Sequence, residues 1–100
     1  MIDYLIVIPA RYKSTRFPGK PLADINGKSM IKCVWEKCIE AANINRVIVA
    51  TDDDRIFRHC KDQKIKVQLT SHSCLTGTDR MCEVAKKIKA SVYILSLIHI

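Results

Sequence analysis

The most constraining feature of this sequence is an apolar run without alternation, from Tyr4 to Ala10 (YLIVIPA). A strand with one face in water alternates apolar and polar residues, whereas a strand buried on both faces of a parallel sheet is apolar throughout. A second run of the same kind, RVIVA, extends from Arg46 to Ala50. The two runs favour a parallel sheet that is covered by helices on both faces.

Amphipathic helices are predicted between the strands. Apolar residues recur at helical spacing from Met30 to Ile39, which predicts a helix over 29–42 with Ser29 as its cap. After the second strand, residues 51–54 (TDDD) supply capping oxygens and negative charge for a helix that carries Ile56 and Cys60. The order so far is strand, helix, strand, helix.

The rest of the chain continues this order. Residues 65–69 alternate apolar and polar, which predicts a half-exposed strand near a sheet edge. A polar loop over 70–77, a third helix from Met81 to Ile88 and a fourth apolar run from Ser91 follow. Alternating strands and helices predict an α/β fold with right-handed crossovers. Ligands of such sheets bind beyond the carboxyl ends of the strands, which places the functional loops at 11–21, 51–54 and 70–78.

Size and composition narrow the class of protein. One hundred residues are one small domain, and the sequence has neither an apolar run of about 20 residues nor a secretory signal pattern. We therefore expect a cytoplasmic protein that makes no membrane contact. The net charge of +7 favours anionic partners, but the six aromatic residues are not arranged for base stacking, so nucleic acid is not the expected partner.

The loop after the first strand, ARYKSTRFPGKPL, concentrates this charge. It carries no acid and four cations, Arg11, Lys13, Arg16 and Lys20. Arginine binds phosphate oxygens as a fork, lysine binds them as a point charge, and the backbone near Gly19 allows close approach, so the loop is able to wrap a polyphosphate. The alternative is a solvated basic loop. Neither a Walker A sequence nor a GxGxxG fingerprint is present.

Three blocks of the sequence resemble one enzyme family. IPARYKSTRFPGKPLADINGKSMI, RVIVATDD and LTGTDRMCEV are similar, in this order, to the 3-deoxy-manno-octulosonate (KDO) cytidylyltransferases, the CMP-KDO synthetases. The resemblance implies a Rossmann-like parallel sheet with flanking helices, as in the nucleotide-diphospho-sugar transferases. It also implies a magnesium-dependent homodimer that joins CTP and KDO into CMP-KDO and pyrophosphate for lipopolysaccharide synthesis. The alternatives are an acylneuraminate or other sugar-acid cytidylyltransferase, or a non-catalytic module that binds nucleotide or nucleic acid.

The resemblance also implies site residues. The cytidine end of CTP would be lined by Pro9, Ala10 and Arg11, and its phosphates would be held by Arg11, Ser14, Arg16 and Lys20. Arg11 and Lys20 are the expected catalytic residues, because fixed cations stabilise the charge that develops on the phosphates. Base or ribose contacts would come from Gly77, Thr78 and Arg80. The alternative makes Thr78 a helix cap and Arg80 a solvated residue of the first turn.

The sequence departs from the family in three places. His72, Ser73 and Cys74 stand where the family usually has Asp-His, and Ser29 replaces a usual proline. After Ile94 the chain reads LSLIHI instead of a Gln-Gly-Asp-Glu-Pro segment with its metal-binding aspartate. We therefore expect residues 1–94 to be the N-terminal nucleotide-binding half of a cytidylyltransferase domain, truncated after the fourth strand, and 95–100 to be an unrelated tail. The magnesium ligands are expected in the missing C-terminal part, and the chain alone is expected to be inactive.

The remaining polar residues are predicted to be structural. Magnesium prefers carboxylate oxygens, but the favoured roles are helix capping for Asp52, Asp53 and Asp54 and a solvated helix face for Asp79 and Glu83, which predicts no complete metal site. The odd number of five cysteines argues against a disulfide framework. The three histidines, His59, His72 and His99, are expected to be structural or on the surface. The uncharged run over 92–100 predicts aggregation through an uncovered strand edge.

Overall fold

The computed structural model of this protein describes residues 2–12, 22–25, 27–71 and 77–95. The central sheet is built from four strands, β1 (Ile2–Ala10), β4 (Val47–Thr51), β5 (Val67–Leu69) and β6 (Ala90–Leu95). Three helices connect them, α1 (Met30–Ala41), α2 (Asp54–Asp62) and α3 (Gly77–Lys87). A short antiparallel pair, β2 (Asp24–Ile25) and β3 (Lys28–Ser29), and a 3-10 turn (Ile44–Arg46) complete the described elements.

All pairings of the four-stranded sheet are parallel, in the order β5, β4, β1, β6. The strand order reverses at β1, because the chain first adds β4 and β5 on one side of it and then crosses to add β6 on the other. Ligands of open α/β sheets bind at such a reversal, outside the carboxyl ends of the strands. The α/β fold expected from the sequence is confirmed.

The two faces of the sheet are buried in two separate cores. Ile8, Val47 and Val49 pack with α1 and α2, in a cluster that includes Ile31, Trp35 and Ile56. Leu5, Val7, Ile48 and Ala50 pack with Val84 of α3 on the opposite face. Successive side chains of a strand point to opposite faces, so a strand covered on both sides is apolar at every position. This packing explains the continuous apolar runs of β1 and β4.

Capping residues set the helix boundaries. The Ser29 hydroxyl accepts the N–H of Lys32 at 3.2 Å and begins α1, as its position predicted. Asp53 caps α2 by accepting the N–H groups of Arg55 at 2.8 Å and Ile56 at 3.2 Å. At the other end of α2, Lys64 has a φ of 60°, and the N–H of Ile65 bonds to the carbonyl of Cys60 at 2.8 Å. The bond and the left-handed residue before it form the Schellman ending that glycine usually provides.

The β2–β3 pair was not predicted from the sequence, because residues up to about 27 were expected to form one loop. Gly27 has a φ of 89°, and its N–H donates to the Asp24 side chain at 3.3 Å. The pair leads the chain directly to the cap of α1, since Asp24 pairs with Ser29.

The described sheet has two edges. β5 lies at one of them, as predicted, and is only three residues long. β6 lies at the other, where Val92 and Ile94 are 55% and 45% exposed. An exposed apolar edge strand can pair with a strand of another chain through its free backbone groups. The aggregation expected from the sequence stays a prediction, and this edge is its structural basis. Among the described residues, no helix is long and apolar enough to cross a membrane.

Candidate functional site

The carboxyl ends of three strands meet at one edge of the sheet. Ala10, the last residue of β1, pairs with Thr51, and Thr51 pairs with Leu69 at the end of β5. The N–H of Thr70 donates to the carbonyl of Thr51 at 2.7 Å and extends this alignment by one residue. The segments that leave β1, β4 and β5 therefore start side by side, as the sequence reasoning expected of the loops at 11–21, 51–54 and 70–78.

The first of these segments starts with Pro9, Ala10 and Arg11. Ala10 is 2% exposed and belongs to the core beneath the edge. Pro9 is half-buried, and Arg11 is exposed. Arg11 thus extends from a buried strand end into the solvent at the edge where a nucleotide is expected.

Arg80 links α3 to the segments that follow β4 and β5 at this edge. It lies in α3 but is only 2% exposed. Its Nη1 donates to the hydroxyl of Thr70 at 2.9 Å, and its Nη2 lies 3.5 Å from a carboxylate oxygen of Asp52. The interpretation of Arg80 as a solvated residue is therefore wrong. Its guanidinium is buried and contacts groups that follow β4 and β5 instead of water. The role expected for it at the base or ribose stays a prediction.

A second arginine, which the sequence reasoning missed, lies at the same edge. Arg55 donates from Nη2 to Asp53 at 2.8 Å and from Nε at 3.2 Å, and its guanidinium carbon lies 3.2 Å from the centroid of the Tyr12 ring. These hydrogen bonds lower the pKa of Asp53 and raise the pKa of Arg55. The sequence signal was TDDDR itself, whose arginine follows a capping aspartate by two residues.

The carboxylates near the edge have structural partners. Asp53 is a helix cap, as predicted, whereas Asp52 lies against Arg80. Glu83 lies on the helix face expected to be solvated and there accepts the N–H of Ser71 at 2.9 Å in an exposed contact. Among the residues that the structure describes, no three histidine, cysteine or acidic side chains form a group able to hold a metal ion.

Several predicted residues lie outside the described part of the chain. These are Ser14, Arg16 and Lys20 of the basic loop, together with His72 and His99. Gly77 and Thr78 form the first residues of α3, but their side chains are not described. His59 has a structural contact, since its Nε2 lies 2.6 Å from the Ser29 hydroxyl that caps α1. Burial raises the pKa of the Cys60 thiol to about 12, so this thiol stays protonated and unreactive in the core.

Comparisons with known proteins identify the family. A family model described as cytidylyltransferase matches residues 5–98. The chain belongs to the cytidylyltransferase family. The chain is strongly similar to KDO cytidylyltransferases. It is 57% identical to the Myxococcus xanthus enzyme over 79% of the chain and 47% identical to the Escherichia coli enzyme over 94% of the chain. The resemblance stated from the three sequence blocks is confirmed.

A solved structure supports the same assignment. CMP-2-keto-3-deoxy-manno-octonic acid synthetase in complex with CTP matches 94% of this chain with a TM-score of 0.89 and 45% identity. The chain covers 39% of that protein, 32% of the Myxococcus xanthus relative and 38% of the Escherichia coli relative. It therefore spans between about a third and two fifths of the length of these cytidylyltransferases.

Proposed function

We propose that this chain carries the CTP-binding part of a KDO cytidylyltransferase. The observation that carries the proposal is the match, at 45% identity over 94% of the chain, to a synthetase solved with CTP. The geometry agrees with it, because the exposed Arg11 follows β1, where the strand order reverses and α/β sheets bind nucleotides, and the buried Arg80 lies at the same carboxyl edge of the sheet. Residues 1–94 are proposed as the nucleotide-binding half of the domain, and 95–100 as a tail.

The proposed reaction is the transfer of CMP from CTP to the anomeric hydroxyl of KDO. The hydroxyl oxygen forms a bond to the α-phosphorus and loses its proton, and the bond from the α-phosphorus to pyrophosphate breaks. Negative charge increases on the phosphate oxygens during this step, and a cation already in place stabilises it without reorganisation. Arg11 is proposed for this role together with Lys20, and Ser14 and Arg16 are proposed to bind phosphate. Pro9, Ala10 and Arg11 are proposed at the cytidine end, with Gly77, Thr78 and Arg80 at the base or ribose.

Magnesium is proposed as the cofactor, with protein ligands in the C-terminal part of the family's length that this chain does not cover. In this proposal the active form is a homodimer of full family length, and the 100-residue chain alone binds CTP without turnover. A cytoplasmic location is proposed because CTP is produced in that compartment.

Titration calorimetry tests the proposal with CTP, UTP and a short single-stranded DNA. We expect CTP to bind more tightly than UTP, and Arg11→Gln to weaken CTP binding by a factor of about 10 to 100, since hydrogen bonds between charged groups contribute about 1.5–3 kcal/mol. Arg58→Gln is the matched control, because Arg58 is also exposed but lies on α2. Equal binding of CTP and UTP, or tighter binding of DNA that decreases linearly with salt on logarithmic axes, would favour the non-catalytic module.

The acceptor sugar requires an activity measurement. In an enzyme of full family length that contains these residues, CTP is supplied with KDO or with an acylneuraminate, and pyrophosphate release is measured. KDO is expected to give the faster release. Equal rates with both sugar acids would remove the assignment to KDO and leave a sugar-acid cytidylyltransferase of wider specificity.

A further inference from the structure

Tyr12, Asp53 and Arg55 form a stacked cluster, which we call the tyrosine clamp, immediately beside Arg11. The Tyr12 ring packs against the core on the α1 and α2 side of the sheet, and the Arg55 guanidinium covers it at 3.2 Å from the ring centroid. Asp53 then holds the guanidinium by two side-chain hydrogen bonds of 2.8 and 3.2 Å. The clamp thus connects the segment that follows β1 to the beginning of α2.

The parts of the clamp are fixed more firmly than those of an ordinary surface ion pair. Asp53 also accepts two backbone N–H groups of α2, so its oxygens are held by the helix. A guanidinium is planar, which allows it to stack on a ring and donate two hydrogen bonds in its own plane at once. Arg55 therefore has one position that satisfies both contacts, although its side chain is 55% exposed.

The clamp restrains the backbone on one side of Arg11, and the sheet restrains it on the other. Ala10 is paired with Thr51 in the parallel register, and Tyr12 is held under Arg55. A side chain that starts from a fixed backbone loses less conformational entropy when it binds a ligand. Part of the entropy loss on binding has therefore already occurred during folding.

We propose that Tyr12 and Arg55 are positioning residues that hold Arg11 ready for the triphosphate of the nucleotide; this inference rests on the proposed CTP binding. Neither residue needs to touch the nucleotide. The role depends on the shape of the arginine side chain rather than on its charge, because lysine keeps the charge but has no plane to stack and no second donor in that plane.

Titration calorimetry of the wild-type chain and three variants tests the inference. Arg55→Lys and Tyr12→Leu are expected to weaken CTP binding about fivefold each, the size of effect expected when a stacked cation contact is lost. Tyr12→Phe keeps the stacking ring and is expected to bind CTP as the wild type does. Arg58→Lys makes the same substitution on the exposed part of α2 and is the matched control, with no change expected.

Cytidine, measured by competition, distinguishes positioning from general damage to the fold. It has no phosphate, so its affinity is expected to fall by a smaller factor than that of CTP in every variant, whereas a structural defect lowers the affinities for CTP and cytidine by the same factor. The double variant Tyr12→Leu, Arg55→Lys is expected to bind CTP no more weakly than either single variant, because both substitutions remove one contact.

Each remaining outcome has a definite meaning. Unchanged CTP affinity in Arg55→Lys, or equal losses for CTP and cytidine, overturns the positioning role while the proposed function stands. A wild-type chain that binds no CTP overturns the proposed function and this inference with it. A loss in Tyr12→Phe as large as that in Tyr12→Leu also contradicts the inference, because the ring would then not be the part that matters.

Discussion

Arg80→Met is expected to destabilise the protein more than the loss of any surface cation, even though its ion pair is long. The Arg80 guanidinium is 3.5 Å from Asp52, whereas Lys28 is 2.9 Å from Glu36. Distance alone would rank the second pair as the stronger one. Burial reverses the order, because the Arg80 side chain is 2% exposed and that of Lys28 is 54% exposed, and exposed pairs are screened by water.

The magnitude follows from the groups that Arg80→Met leaves behind. The Thr70 hydroxyl, in a residue that is 5% exposed, loses its 2.9 Å donor, and a buried polar atom without its partner costs about 1–3 kcal/mol. Asp52 is 20% exposed and regains some hydration, which limits its contribution. We expect a loss of about 2 kcal/mol, or about 8–16 °C in melting temperature for a domain of this size.

Urea unfolding followed by the fluorescence of Trp35, the one tryptophan of the chain, measures this loss. Lys28→Met is the control, with a much smaller shift expected. In the Arg80→Met background, Thr70→Val is expected to cost less than in the wild type, because the isolated hydroxyl is removed as well. Equal shifts for Arg80→Met and Lys28→Met would refute the reasoning from burial.

Three further predictions concern other parts of the chain. The pKa of Asp53 is lower in the folded protein than in the unfolded chain, so the ionised carboxylate stabilises the fold above the unfolded-state pKa of about 4. This contribution is lost as the pH falls through the folded-state pKa. Asp53→Asn should therefore flatten the acid side of a curve of unfolding free energy against pH. Lys64→Gly should raise the unfolding free energy by about 0.5–1 kcal/mol in urea titrations, because the left-handed backbone costs about 1–2 kcal/mol and glycine entropy offsets part of the gain. Val92→Lys should reduce light scattering by concentrated protein, since a charge on an exposed edge strand opposes strand pairing; unchanged scattering would place the association elsewhere.

The sequence predicted the order of the main elements well, because their signals are local. Continuous apolar runs showed which strands are buried, and Ser29 and the TDDD segment indicated where α1 and α2 begin. The β2–β3 pair was missed because it is two residues long on each strand, and such a short pair has no periodicity to detect.

The site was harder to predict, because its contacts join residues that are far apart in the sequence. The family resemblance indicated Arg80, but helical position alone suggested a solvated side chain, and only the fold places it against Thr70 and Asp52. Arg55 carries no motif of its own. Its contact with Tyr12 depends on how α2 packs beside β1, which a single sequence does not encode in any short pattern.

The position of β1 in the sheet has a consequence for how the chain folds. Ile6 pairs with Val47, and Leu5 pairs with Tyr93, so the first strand in the chain is an interior strand whose neighbours come much later. Distant pairings require the closure of long loops and slow the folding of a domain. During synthesis on the ribosome, β1 would emerge with both of its hydrogen-bonding edges open, and the edge that receives β6 would be completed last. Conditions that slow translation between these strands should therefore prolong the period in which this apolar strand is available to chaperones or to other nascent chains.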